Sequence, residues 1–125
     1  MKELELVKEF HKKFNHPIEK TPIIPEIKRI ILRNNLIREE LEELEVASQE
    51  EDIVEVADAL IDILYVTYGA ICEYGLADKA KELFDEVHSS NMSKLENGFP
   101  VYDNQGKVMK GSNYYAPNIR GVLNL

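Results

Sequence analysis

From Glu39 to Asp78 the sequence contains no lysine or arginine, and eleven of the first twenty-four residues of that stretch are Asp or Glu. Carboxylates this dense, with no cation among them, repel one another, and burying any of them is costly unless something neutralises it. Whatever this chain folds into must bring an external cation to these residues or leave them in water.

Helical geometry favours the first outcome. At 100° per residue, Glu55, Asp58, Asp62, Tyr65 and Gly69 fall in one stripe roughly 80° wide. The opposite face carries Ile53, Ala57, Leu60, Leu64 and Ile71, and the flanks carry Val54, Val56, Ile61 and Ile63. A helix apolar almost all round is normally buried, which predicts that the acidic stripe is buried with it. Upstream, Glu39, Glu40 and Glu43 continue the Leu32/Leu36 stripe within about 100°, whereas Glu42 and Glu45 point elsewhere. Two antiparallel helices joined by a short turn at Ala47–Gln49 bring the two acidic stripes face to face. Four or five carboxylates converging on one point make a hard oxygen-ligand site, suited to Mg²⁺ or Mn²⁺.

The length of 125 residues predicts a single domain. With 23 acidic residues against 15 basic, a net charge of −8 argues against a nucleic-acid polymer or an anionic membrane as partner. The one cysteine, Cys72, lies within the apolar helix and reads as a buried structural thiol in a reducing compartment. No apolar run reaches the ~18 residues of a membrane span, and no signal-peptide core is legible. The expectation is a soluble, cytoplasmic protein.

Along the chain, Leu6, Phe10 and Phe14, with Val7 beside them, predict a first amphipathic helix over 2–14. His11 and His16 lie at its end without a metal-spaced partner and read as surface or capping residues. A proline-containing loop over 15–25 precedes a second helix, roughly 25–46, with Pro25 in its first turn. Ser48 followed by Glu51 is a capping-box signature for a third helix, 49–74, which Gly75 ends. Asp78 caps a fourth, 79–90, along the Ala80, Leu83, Phe84, Val87 stripe. Beyond Ser89 the chain is locally basic and rich in glycine and proline. Asp103-Asn104-Gln105-Gly106 is a turn between the extended pieces Phe99–Tyr102 and Lys107–Met109. The expected fold class is therefore all-α: a four-to-five-helix antiparallel bundle over about 1–90, with an irregular, basic C-terminal arm over about 91–125.

Three chemistries compete for the acidic cluster. A solvated hairpin needs an exposed face, which the apolar flanks do not leave. A di-iron carboxylate bundle needs Glu-x-x-His on two helices, and only Asp85-x-x-His88 approaches that, once. A magnesium enzyme acting on a phosphorylated substrate needs carboxylates plus cations for the phosphates, and the basic tail supplies the latter.

Glu39-Glu40-x-x-Glu43, eleven residues, then Glu55-x-x-Asp58 resembles the EExxE…ExxD signature of the MazG-like all-α nucleoside triphosphate pyrophosphohydrolases. That superfamily includes MazG, the dimeric dUTPases and phosphoribosyl-ATP pyrophosphohydrolase. The spacing lies at the short edge of the family's range. The segments VKEFHKKFNHP at 7–17, HSSNMSK at 88–94 and GKVMKG at 106–111 are similar to a MazG-like branch of phages and bacteria.

The resemblance implies hydrolysis of a nucleoside triphosphate to the monophosphate and pyrophosphate, as in nucleotide-pool house-cleaning, with dUTP or non-standard nucleotides as candidate substrates. It implies Glu40, Glu43, Glu55 and Asp58 as Mg²⁺ ligands, Glu39 as the group that orients or deprotonates the attacking water, and a homodimer or homotetramer. Asp62, one turn beyond Asp58, is a candidate for holding a water outside the ligand set or for pairing within the bundle. Asn91, Lys94, Lys107 and Lys110 are the candidate phosphate contacts, on an arm expected to clamp the substrate. The alternatives are a phosphoribosyl-ATP pyrophosphohydrolase, for which no further histidine-pathway signature is legible, and a non-enzymatic metal- or nucleotide-binding regulatory module.

Overall fold

The computed structural model describes residues 1–125 and contains five α-helices: α1 (Lys2–Lys13), α2 (Ile27–Gln49), α3 (Ile53–Glu73), α4 (Ala80–Met92) and α5 (Ile119–Leu123). There is no strand, so the fold class is all-α as expected. The chain divides into two compact units, Met1–Asp78 and Lys79–Leu125.

In the first unit, Glu3 and Glu5 sit in the first turn of α1 and His11, Lys12 and Lys13 in its last, matching the helix dipole at both ends. The face it buries is Leu4, Val7 and His11, not the Leu6–Phe10–Phe14 stripe that spacing suggested. Leu6 and Phe14 are exposed, and Phe10 stacks on Phe14 at 4.3 Å and meets Tyr65 edge-on at 5.7 Å. His11 is thus a core residue rather than a surface one: it is 2% exposed, and its Nδ1 pairs with the Pro17 carbonyl at 2.9 Å. Burial, more than any other cause, holds its imidazole below the ordinary value.

The two acidic helices are the long ones. α2 continues through Gln49, beyond the turn expected at Ala47–Gln49, and the reversal occupies Glu50–Asp52. Glu51 takes the left-handed conformation there (φ 54°), and Asp52 caps α3 by accepting from the Glu55 amide at 3.2 Å. Asp52 therefore replaces the Ser48–Glu51 capping box, because it sits immediately before the first apolar turn and caps as well as serine does. At the other end, the Leu76 amide bonds the Ile71 carbonyl and Gly75 adopts φ 71°, which is a Schellman ending. The proline-containing segment covers the remaining terminal carbonyls. Glu19 and Ile23 donate their amides to Cys72 and Tyr74, each at 3.0 Å. A Cβ at Gly75 would overlap the Thr21 carbonyl, so this junction requires glycine for space as well as for its φ.

One expectation fails within the single chain. The apolar faces of α3 are not covered: Ile53, Val54, Leu60, Ile61 and Leu64 are all exposed, as are Ile27, Ile31 and Leu41 of α2. The acidic stripes are accordingly not buried as expected: Glu39, Glu43, Glu55 and Asp58 are exposed, and only Glu40 and Asp62 are half-buried. The buried apolar residues are few and mostly small: Leu4, Val7, Ala47, Ala59, Cys72 and Ala80. Cys72 is fully buried, which pushes its thiol up and leaves it inert, in keeping with a structural role. No helix is long and apolar enough to cross a membrane.

Beneath this thin apolar layer lies a buried polar group. Glu73, 1% exposed, is gripped by Arg29 (Nε to Oε1 2.7 Å, Nη2 to Oε2 2.9 Å) and approached by Arg33 (Nη1 to Oε2 3.3 Å). Arg33 is itself 4% exposed and donates through Nη2 to the Val66 carbonyl at 2.6 Å.

A 3₁₀ turn at the end of the first unit (Ala77–Lys79) runs into α4 of the second, so Lys79 rather than Asp78 occupies the N-cap position, with no side-chain bond. The residues after α4 return to it through polar contacts. Ser90 Oγ donates to the Tyr115 carbonyl at 2.8 Å, and the Asn118 amide donates to Glu86 at 2.8 Å. Ser112 bonds Glu96 through both amide and hydroxyl, which holds that carboxyl below its usual range. The expected hairpin is reduced to single bridges, Tyr102 with Val108 and Glu96 with Phe99. Its turn is organised by Asp103 Oδ1, which accepts from the Gln105 and Lys107 amides. α5 was not foreseen. Asn118 caps it by accepting from the Gly121 amide at 3.0 Å, and Asn124 closes it in the left-handed region (φ 58°).

Candidate active site

α2 and α3 pack on each other after a three-residue turn, so their acidic stripes run antiparallel side by side. At mid-length an oxygen from each of Glu40, Glu43 and Asp62 lies within 4.8 Å of the others. One Glu40 oxygen, Oε2, is buried with no hydrogen-bond partner. A buried acceptor without a donor is costly, and three clustered carboxylates without a cation are more so. None of these residues forms an ion pair with a lysine, arginine or histidine.

Their titration reflects this. Glu40 is pushed up to about 7, first by desolvation, then by the facing Glu43 carboxylate, with which only a protonated Glu40 can hydrogen-bond, and by the charges of Asp62, Glu43 and Asp58. Asp62 is raised as well, by desolvation and by the charges of Asp58 and Glu43. A proton on Glu40 stands in for a missing cation, and a divalent metal would do the same with a full complement of carboxylates. The oxygen-only donor set, its spacing and the unpartnered Glu40 oxygen fit Mg²⁺ or Mn²⁺.

Adjoining this cluster, and sharing Glu43 with it, is an open cleft of about 660 Å³ lined by Glu39, Glu42, Glu43, Val46, Ala47, Glu50, Glu55 and Asp58. Glu40, Glu43 and Asp62 are thus gathered at one point, while Glu39, Glu55 and Asp58 line the cleft beside it. Asp62 stands among the clustered oxygens. Glu42, which helix phasing turned away, is in the cleft wall together with Glu50. The periodicity of α2 alone was a poor guide here, because the cleft opens along the α2–α3 groove rather than at a single stripe.

Asn91, Lys94, Lys107 and Lys110 all belong to the second unit. Asn91 is in the last turn of α4, and the Lys94 carbonyl accepts from the Gly111 amide at 3.0 Å. The Lys107 amide closes the Asp103 turn, and Lys110 Nζ lies 4.7 Å over the Tyr114 ring. None of the three lysine ammonium groups is paired with a carboxylate. The α2 arginines nearest the cluster are already engaged: Arg33 with Glu73 and Val66, and Arg38 with Asn35, to which it donates at 2.8 Å.

An all-helical fold carrying a cation-free carboxylate cluster on two antiparallel helices defines a class, the α-helical hydrolases built round EExxE…ExxD. The family model described as phosphoribosyl-ATP pyrophosphohydrolase matches residues 7–91, more than half of the chain, and takes in most of α1–α4. The chain belongs to this family, which lies within the MazG-like superfamily of hydrolases of nucleotide pyrophosphate bonds. Among curated proteins it is similar to the uncharacterized protein L479 of Acanthamoeba polyphaga mimivirus, with 32% identity over 104 residues. That match covers 80% of this chain but 41% of the viral protein, so the chain spans less than half of that relative's length.

Proposed function

We propose that this chain is a magnesium-dependent nucleoside triphosphate pyrophosphohydrolase, releasing pyrophosphate and leaving the nucleoside monophosphate. The observation that carries the reading is the meeting of Glu40, Glu43 and Asp62 oxygens within 4.8 Å, one of them buried without a partner, beside a cleft that holds Glu39.

Glu40, Glu43, Asp58 and Glu55, with Asp62 added by its position, are the residues that would hold Mg²⁺. Bound there, magnesium would supply positive charge against the phosphate oxygens and lower the pKa of a bound water. Glu39, in the cleft wall, orients a water molecule and accepts its proton as the water oxygen attacks the α-phosphorus. The α–β anhydride bond breaks, and pyrophosphate leaves with its bonding electron pair. The β- and γ-phosphates need cationic and hydrogen-bonding partners that the carboxylates cannot supply, and Lys94, Lys107, Lys110 and Asn91 are the candidates that the chain offers.

Phosphoribosyl-ATP is the second substrate to consider, because the matching family model carries its name. It is cleaved at the same bond, so the site chemistry does not separate the two. Pyrophosphate release is therefore to be measured over the common and non-standard ribo- and deoxyribonucleoside triphosphates and phosphoribosyl-ATP, with and without Mg²⁺. Turnover of triphosphates supports the proposal, and turnover of phosphoribosyl-ATP alone replaces the substrate. Tight nucleotide binding with no release at all makes the chain a nucleotide-binding regulatory module.

The tail assignment yields its own expectation. Lys94→Ala, Lys107→Ala and Lys110→Ala should each leave Mn²⁺ binding intact. At every position that contacts phosphate, kcat/KM should fall tenfold or more, about 1.4 kcal/mol. Wild-type turnover in all three would remove the tail from the phosphate site.

The exposed Ile53, Val54, Leu60, Ile61 and Leu64 of α3 bear on assembly. Apolar faces of this extent on a central helix are expected to be covered by another copy, most simply in a two-fold dimer or a tetramer of such dimers. Sedimentation at micromolar concentration should give at least twice the 14.4 kDa chain mass. A fully active 14.4 kDa species would refute it.

A further inference from the structure

Two turns from the carboxylate cluster, α2 and α3 are joined by the buried group centred on Arg33, which the proposed chemistry does not use. His11, His16 and Glu73 also bring ligand-type atoms within 4.8 Å of one another there. That triad is not a metal centre. Both Glu73 oxygens are engaged by guanidinium groups, and two fixed cations beside them repel a third.

A buried ion pair is also a poor device for stability, since desolvation offsets most of its attraction, and apolar residues of similar volume serve as well. What Arg33 does that an apolar residue cannot is bind a fixed point on the facing helix. Its Nη2 donates to the Val66 carbonyl at 2.6 Å, and its Nη1 lies 3.3 Å from Glu73. Both partners belong to α3, two turns apart, so the guanidinium is pinned along the axis of that helix as well as against it. Gly69, on α3 between them, carries no side chain, and a Cβ there would overlap the Arg33 guanidinium.

Arg33 is seven residues before Glu40 on α2, and Val66 is four residues after Asp62 on α3. Sliding one helix along the other by a single residue moves side chains by about 1.5 Å, and by a turn about 5.4 Å. Either is a large displacement for oxygens that must converge on one cation. We propose that Arg33 is a positioning residue, fixing the axial register of α2 on α3 so that Glu40 and Glu43 meet Asp62. The inference deepens the metal-dependent reading above and rests on it for the metal centre alone, not for the reaction.

The test is Mn²⁺ binding by electron paramagnetic resonance, alongside thermal unfolding, in wild type, Arg33→Met/Glu73→Met and Arg33→Lys. The double variant removes the pinned charge and fills the space, so it should unfold near the wild-type temperature while Mn²⁺ affinity falls tenfold or more. Arg33→Lys keeps the charge but cannot reach both partners, and its affinity should fall between the two. If the double variant does not fold, the lysine variant decides. Wild-type Mn²⁺ affinity in a folded variant overturns the proposal. A wild-type chain that binds no Mn²⁺ overturns it together with the metal assignment. Mn²⁺ binding without release of pyrophosphate from any nucleotide overturns the hydrolase reading only.

Discussion

Glu40→Gln and Asp58→Asn should each reduce pyrophosphate release by on the order of 10³-fold or more, about 4 kcal/mol of transition-state stabilisation, while leaving the helical fold intact. The two substitutions preserve shape and remove one negative charge apiece from a group that carries no cation of its own. Without metal, stability should therefore hold or rise. The pH dependence has a definite sign. Glu40 titrates at about 7 in the folded chain against an ordinary 4.5, so the folded state binds its proton more tightly than the unfolded one. That contribution is fully present below pH 4.5 and is lost as the pH rises through 7. Metal-free wild type should thus lose stability between about pH 4.5 and 7, by on the order of 1 kcal/mol once solvent screening of this partly exposed group is allowed for. Glu40→Gln should flatten that slope, and Mg²⁺ should weaken on acidification as protons compete for Glu40. Unfolding temperatures across this range, with and without Mg²⁺, measure all three effects. A variant that unfolds without metal and turns over normally with it would show that the cluster is structural.

Glu73→Ala should be among the most destabilising single changes in the chain, costing about 3–5 kcal/mol. It strips the carboxylate from a fully buried pair and leaves the Arg33 guanidinium charged and enclosed, with Val66 as its only remaining partner. Arg29 is less affected, because its side chain is 23% exposed and can hydrate. For a domain of this size the loss corresponds to a fall in Tm of about 10 °C or more. Thermal unfolding at neutral pH measures it. A fall of less than about 2 °C would mean that water reaches Arg33 and that the pair is not enclosed.

Much of the candidate site is legible in the sequence, because its chemistry is local to each helix. Glu39, Glu40 and Glu43 share one side of α2, Glu55, Asp58 and Asp62 share one side of α3, and the missing cations are visible by inspection. What joins residues distant in sequence is not legible. Glu73 lies 44 residues from Arg29, and no periodicity links them. Nor does spacing say which face of α1 turns inward. The Leu6–Phe10–Phe14 stripe was the more apolar choice, yet the helix buries Leu4, Val7 and His11, where the imidazole satisfies the Pro17 carbonyl. The position of the reversal was missed by a few residues for a local reason. Ser48 and Asp52 are both competent caps, and Asp52 takes the position because it stands directly before the first apolar turn of α3. α5 is five residues long, too short to leave a periodic trace, and only its Asn118 and Asn124 ends mark it.

The reversal at Glu50–Asp52 sets how this protein can change length. Only three residues separate the two long helices, and one of them already sits at a positive φ, so the connection has no slack. One residue inserted in α2 between Glu43 and the turn would rotate everything before it by about 100° relative to α3, carrying Glu40 and Glu43 out of the groove. Lengthening can keep the carboxylates opposed only when both helices grow together, by about one turn each on either side of the reversal, which adds roughly seven residues at once. The interval between Glu43 and Glu55 therefore behaves as a quantised quantity. With eleven residues in it, this chain stands near the smallest value at which two helices can still turn back and meet.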